Sequence, residues 1–204
     1  MKISREGLPF IFASGLASLV LARLGLKVLG FAPVAFVTWF FRDPERQVPA
    51  GEGLVLSPAD GKVLEVVRTS EERVGPCTKV SIFMSVFNVH VNRSPVTGAV
   101  VGKSYRKGTF HMANLGRKTE ANERMILHIE NEDGIYRVDQ VAGLVARRIS
   151  CTPEVGDRVQ AGQRIGLIRF GSLLECWMPE GVRAAVDRGL AVKAGETVIG
   201  RKEQ

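Results

Sequence analysis

The chain is poor in the residues that usually announce a metal or redox site. It has three cysteines (Cys77, Cys151 and Cys176) and three histidines. An odd cysteine count with no CxxC spacing gives neither a disulfide framework nor a zinc site, so the thiols read as buried and reduced. His90, His111 and His128 stand at no i,i+3 or i,i+4 spacing, so no metal is expected. No Walker A phrase and no GxGxxG is present, which leaves nucleotide binding without a motif; the missing GxSxG removes the usual serine-hydrolase signature. From Leu54 onward no long amphipathic helical pattern occurs, only one or two possible turns at 120–127.

What is present divides unevenly along 204 residues. Gly7–Ala22 and Val28–Phe41 are uncharged apolar runs separated by Arg23 and Lys27. Each is shorter than the roughly 20 residues of a straight bilayer span. Lys2 and Arg5 precede them, and Arg42 and Arg46 follow. Cationic flanks favour the cytoplasmic side, so matching flanks suit two short helices folded back on each other or lying in the interface. Arg23 and Lys27 would then sit at the bend or snorkel to headgroups. A signal peptide and a single tilted span are the competing readings. Pro44, Pro49, Gly51 and Gly53 break this pattern, which predicts an apolar helical membrane-associating segment over 1–43 and a second domain over 44–204.

The second domain reads as mainly β. Alternation at 63–68, β-branched and aromatic enrichment over 80–91, and similar patterns at 126–129, 136–145 and 164–170 predict short strands. Turn signals fall at Asp60-Gly61, Asp133-Gly134 and Gly156-Asp157. A compact barrel or sandwich follows. Two phrases, SPADGKV at 57–63 and VGDRVQAGQRIG at 155–166, resemble the hairpins of lipoyl- and biotinyl-carrier barrels, though no carrier lysine tripeptide occurs. The net charge of +7 admits an acidic partner, either nucleic acid, an anionic membrane surface or a phosphorylated substrate. Scattered Lys and Arg without a recognition motif argue against nucleic acid.

The phrases FFRDPER (40–46), SPADGKV (57–63), FMSVFNVHVNRSP (83–95), NER (122–124), VAGLVARRI (141–149) and GQRIGLIRFGS (162–172) occur in this order along nearly the whole chain. Together they resemble the phosphatidylserine decarboxylases of the short bacterial and archaeal form. The resemblance implies a membrane lipid substrate, its conversion to phosphatidylethanolamine, and a pyruvoyl cofactor made from the chain itself. It implies self-cleavage between Gly171 and Ser172 into a β chain, 1–171, and an α chain, 172–204, which stay together as a heterodimer or a higher oligomer of it. The substrate amine would form a Schiff base with the pyruvoyl group. The expected location is the cytoplasmic face of the cell membrane, peripheral or re-entrant.

The residues allow this chemistry. Glycine leaves its own carbonyl open to attack, and a serine hydroxyl can shift the acyl bond from nitrogen to oxygen. By resemblance, Ser172 is the nucleophile and cofactor precursor, and Asp60 belongs to a self-cleavage Ser-His-Asp set; an ordinary Asp-Gly turn is its plain alternative. His90 matches a histidine tied to decarboxylation. The longer enzymes' second histidine falls at Arg93, and arginine cannot act as a base at neutral pH. That leaves three options: His90 serving both stages, Asp60 acting through water, or Arg93 steadying an oxyanion or the lipid phosphate. His111 and His128 read as structural. From another class, a non-enzymatic, membrane-anchored lipoyl-like carrier or adaptor explains the hairpins and the apolar start.

Overall fold

The computed structural model describes residues 2–111, 116–143, 149–169 and 172–203. The chain divides into two compact units, Met1–Glu45 and Arg46–Gln204.

In the first unit a short strand β1 (Lys2–Ile3) pairs with β2 (Arg42–Asp43), closing the base of two helices, α1 (Leu8–Arg23) and α2 (Lys27–Phe40). Pro9 sits in the first turn of α1, where its missing N–H removes nothing. Gly25, at φ +84°, turns the chain between the helices. The helices meet through small residues: a Cβ on Gly30 would lie 3.1 Å from the Ser18 carbonyl oxygen and 3.2 Å from the Ala22 nitrogen. Such close backbone approach is how helices associate where hydrophobicity cannot drive them together. The large apolar side chains point outward instead, including Phe12, Leu16, Leu19, Val28, Leu29 and Phe31, all exposed. The continuous helical stretch Arg5–Arg23 has mean hydropathy 1.3 and is long and apolar enough to cross a membrane, although its uncharged run alone is shorter.

The second unit is mainly β. Its strands are β3 (Leu54–Leu56), β4 (Gly61–Glu71), β5 (Gly75–Met84), β6 (Val91–Arg93), β7 (Gly98–Arg106), β8 (Arg124–Asn131), β9 (Gly134–Ala142), β10 (Ile149–Cys151), β11 (Arg158–Val159), β12 (Arg164–Ile168), β13 (Ser172–Pro179), β14 (Val182–Ala184), β15 (Ala191–Val192) and β16 (Val198–Lys202). An eight-stranded antiparallel sheet runs β11-β7-β8-β9-β13-β5-β4-β15 and curls into a half-barrel. Two three-stranded sheets, β10-β12-β6 and β14-β16-β3, complete the unit. The core lies on the face carrying Val80, Ile82, Tyr136, Val138, Leu174 and Cys176, against Ile165, Ile168 and Ile199 from the smaller sheets.

The five segments that alternation marks do carry strands, with four differences, whereas β3, β7, β13, β14, β15 and β16 lie outside them. The 80–91 run is two strands, β5 and β6, because Ser85–Asn88 forms a turn. The helical turns expected at 120–127 are a 3-10 segment, Gly116–Ala121, and β8 takes over at Arg124. A bulge between Val63 and Glu65 resets the alternation of β4, so Val63 and Val66 both pack with the core. The 155–166 phrase does not fold on itself: β11 pairs with β7, whereas β12 lies between β10 and β6.

Candidate active site

Ser172 opens β13, the strand between β9 and β5, opposite Ala142 on one side and Met84 on the other. Its row faces the core, so the side chain is fully buried. Its Oγ has no hydrogen-bond partner among the described residues. A buried hydroxyl left unpaired costs about 1–3 kcal/mol, and such groups in native proteins call for an explanation, a catalytic role being one of several. Gly171 lies outside the described residues.

The neighbouring backbone is tightly specified. The Ala142 N–H donates to the Glu123 carbonyl at 2.8 Å, and its C=O accepts from Asn122 Nδ2 at 2.8 Å. Ala142 therefore directs both polar groups toward β8. The alternation of an antiparallel ladder then turns the Ser172 N–H and C=O toward Met84. Asn122 also clasps His111, accepting from its N–H and donating to its C=O, both at 2.9 Å.

His90 is linked along the chain to the neighbours of Ser172: Met84, opposite Ser172, stands six residues before it, and the His90 carbonyl accepts at 3.4 Å from the N–H of Ile168, which stands four residues before Ser172 in the sequence. The ring is buried, with Nδ1 3.0 Å from the Asn88 carbonyl oxygen. A carbonyl only accepts, so Nδ1 carries the proton and Nε2 is the basic nitrogen of the neutral ring.

Asp60 is held differently. Its Oδ1 accepts from Arg46 Nη2 at 2.9 Å and from the Ala194 N–H at 2.8 Å, while Oδ2 accepts from the same Arg46 nitrogen at 2.8 Å. Lys62 opposes Phe83 and Phe83 opposes Leu173, so Gly61, Met84 and Ser172 fall in one row. Two strand spacings, about 10 Å, separate Gly61 from Ser172. Asp60 thus lies near the site with its carboxylate committed to Arg46 and Ala194. The Asp-Gly pair is also no hairpin turn: Gly61 begins β4, and a Cβ there would overlap the Phe83 carbonyl. Glycine is required by the approach of β5.

Arg93 is buried, and its Nη1 donates to the Gly162 carbonyl at 2.8 Å, tying β6 to the 155–166 loop. His128 is buried on β8, and its pKa is lowered by burial and the nearby Arg73 charge, so it stays neutral. His111 is exposed and contributes its backbone to the Asn122 clasp. Burial pushes the Cys176 thiol up to about 12 and Cys151 up to about 11, and raises Cys77, which keeps all three protonated.

Sequence reasoning missed Asn122, Arg124 and Gln140 as parts of this architecture. On the sheet face away from the core, Arg124 Nη1 bridges Asp139 Oδ2 and Glu175 Oε2, each at 3.0 Å, and its Nη2 donates to the Thr119 carbonyl at 2.7 Å. This pins the 3-10 segment behind β13. Burial and the Asp139 charge raise the Glu175 pKa. Gln140 faces the core and donates to Asn92 Oδ1 at 2.8 Å. Charged residues at several positions of β8, β9 and β13 were the available signal, since isolated strand charges rarely recur across neighbouring buried strands.

The curled β unit carries a buried strand-leading serine whose Oγ has no partner among the described residues, and a buried histidine whose Nδ1 meets a backbone carbonyl. Comparison with known proteins gives the family. The phosphatidylserine decarboxylase model matches residues 34–200. Over 206 residues the chain is 47% identical to a phosphatidylserine decarboxylase proenzyme of Syntrophus aciditrophicus, covering 97% of this chain and 96% of the relative. It is 50% identical over 210 residues to one of Symbiobacterium thermophilum, covering 99% and 96%. The chain belongs to the phosphatidylserine decarboxylase family, an enzyme family, and the carrier-domain alternative falls away.

Proposed function

We propose that this chain is a precursor that cuts itself between Gly171 and Ser172 and then decarboxylates phosphatidylserine to phosphatidylethanolamine. The observation that carries this reading is the buried Ser172 Oγ without a partner among the described residues; the buried His90, its Nδ1 on the Asn88 carbonyl, leaves Nε2 as the candidate base. In self-cleavage the Ser172 Oγ attacks the Gly171 carbonyl carbon; the C–N bond breaks, and the hydroxyl proton passes to the nitrogen. Loss of the Ser172 α-proton then breaks the Cβ–O bond and releases Gly171 as a carboxylate. One water enters and one ammonia leaves as residue 172 becomes the pyruvoyl cap.

His90 is the base this geometry favours. The Asp60 carboxylate is engaged by Arg46 and the Ala194 N–H, and the Arg93 guanidinium donates to the Gly162 carbonyl. In our reading Asp60 fixes the β4 start, and Arg93 fixes the loop before β12, both as positioning residues rather than as base or lipid contact. The pyruvoyl group supplies a ketone that takes up the substrate amine and an acceptor for the electrons of the breaking C–CO₂ bond. Residue 172 lies in a water-excluded position, which suits that chemistry. For decarboxylation His90 first takes a proton at Nε2, becoming imidazolium, and then gives that proton to the substrate carbon.

Cleavage at 171/172 leaves β13 hydrogen-bonded between β9 and β5, so the α and β chains remain one folded body as a heterodimer. The apolar outer faces of α1 and α2 suit membrane attachment at the cytoplasmic surface, with Lys2, Arg5 and Arg42 at the hairpin base. Denaturing mass spectrometry tests the central step. A fragment of residues 172–204 with a ketone-bearing, Edman-blocked N-terminus is expected, with Ser172→Ala uncut and inactive; an intact chain with an ordinary serine in active wild-type protein overturns it.

A further inference from the structure

The cut between Gly171 and Ser172 would leave residue 172 as the free end of β13. Free chain ends open locally at little cost unless their side chains are tied down. Here the ties lie on the sheet face away from the core. Leu173 packs there with Val141, and Leu64 and Phe83 lie against the pair. Two residues further on, Glu175 is buried; its Oε2 accepts from Arg124 Nη1 at 3.0 Å, and its Oε1 lies 3.6 Å from Lys79 Nζ. Arg124 is itself fixed. Its Nη1 also donates to Asp139 Oδ2 at 3.0 Å, and its Nη2 donates to the Thr119 and Glu120 carbonyls at 2.7 and 3.1 Å. Asp139 is fully buried and accepts from Arg137 as well, at 2.7 Å on each oxygen. Among the described members of this network, Glu175 alone lies past the cut; Lys79, Arg124, Arg137 and Asp139 all precede it.

The position of this one charge gives it a use. In an uncut chain residue 171 holds the strand end covalently, and a buried ion pair adds little net stability over an apolar pair of the same size. After a cut that tether is gone. Drawing the end of β13 out of the sheet then separates the Glu175 carboxylate from both cations, and an ion pair broken in the interior leaves uncompensated buried charge, which is strongly unfavourable. The charge also marks the register. A slip of β13 by two residues keeps Leu174, Cys176 and Met178 on the core face, so apolar burial resists it weakly. The same slip carries Glu175 about 7 Å from Arg124.

We propose that Arg124 and Lys79 of the β chain clamp Glu175 of the α chain, and that this clamp keeps residue 172 seated in the sheet once the 171/172 bond is gone. All three are positioning residues, and the proposal rests on the self-cleavage reading. The test is backbone hydrogen exchange at 173–175 in full-length protein in mild detergent, for Glu175→Gln in the self-cut protein and again on the Ser172→Ala background, where the chain stays in one piece. In the cut protein these amides should exchange about tenfold faster than in the cut parent, and an aminooxy probe should label the residue-172 ketone faster by a similar factor. On the uncut background the change should stay within about threefold, because the covalent tether remains. A buried pair that merely supports the fold would accelerate exchange equally in both, and that result overturns the proposal, as does unchanged exchange in the cut protein. If Glu175→Gln is not cut, Lys79→Met goes through the same comparison; failure of both to be cut places the clamp before cleavage and also overturns it. A wild type that is never cut sinks the self-cleavage reading and this proposal with it, whereas equal exchange in a cut protein sinks this proposal alone.

Discussion

Asn122→Ala probes how firmly the site depends on a side chain that touches neither nucleophile nor base. Asn122 is 1% exposed and donates to the Ala142 and His111 carbonyls while accepting from the His111 N–H. His111 is exposed, so water can replace its two lost bonds at about 0.5–1.5 kcal/mol each. The Ala142 carbonyl is buried, and stranding it costs about 1–3 kcal/mol. These terms sum to about 2–6 kcal/mol, and a cost of about 3 kcal/mol should lower Tm by roughly 6–12 °C for a unit of this size. The measurement is thermal unfolding in mild detergent on the Ser172→Ala background, where the chain stays in one piece. Ala142 faces Ser172 across the ladder, so slack there also moves the attacking hydroxyl. If half the cost enters the processing barrier, cleavage slows about tenfold, because each 1.4 kcal/mol is a decade. Thr109→Val, which removes only a 3.3 Å bond to Asn122, should change little. A Tm within 2 °C of the parent together with near-normal processing would refute the clasp as a support of the site.

Other substitutions test separate features. Gly61→Ala places a methyl on the Phe83 carbonyl, so it should displace β5 beside Ser172 and leave mostly uncut chain on a denaturing gel. His128 has a folded pKa below the ordinary histidine value of about 6.5, so the unfolded chain takes up the proton first as pH falls. Stability should therefore decline below about pH 6.5, by no more than about 1.4 kcal/mol per pH unit from this group, and His128→Gln should flatten that part of a Tm-versus-pH curve. With Cys151 and Cys176 titrating at about 11 and about 12, and Cys77 raised, the folded protein should react slowly with a thiol reagent at pH 7.5 and release all three thiols only on unfolding. In the helical unit, Gly30→Val should separate α1 from α2, read as a loss of protease protection of the vesicle-bound hairpin.

Local pattern carried a large part of the architecture. Alternation marked β4, β5, β8, β9 and β12, and two uncharged runs marked the helices, because burial on one face or all round repeats with the period of the backbone. The ordered phrases pointed to the family and to Ser172. What periodicity missed were interruptions set by partners far along the chain. The bulge after Val63 answers the register of β5, and the turn at Ser85–Asn88 splits an apparently continuous strand. Gly61 looked like a turn residue, but its constraint is the carbonyl of Phe83.

The sequence by itself determined the two apolar helices, the strand segments at β4, β5, β8, β9 and β12, and which dipeptide stands where the family's phrases end. Only the tertiary structure decided who meets whom. It put Ser172 between Met84 and Ala142 with its hydroxyl unpaired among the described residues, set Arg46 on Asp60, turned Arg93 to Gly162, and placed His90 Nδ1 against the Asn88 carbonyl. Propensity and hydrophobic spacing act over a few residues. Hydrogen-bond satisfaction in a curled sheet is settled among strands brought together from across the whole chain.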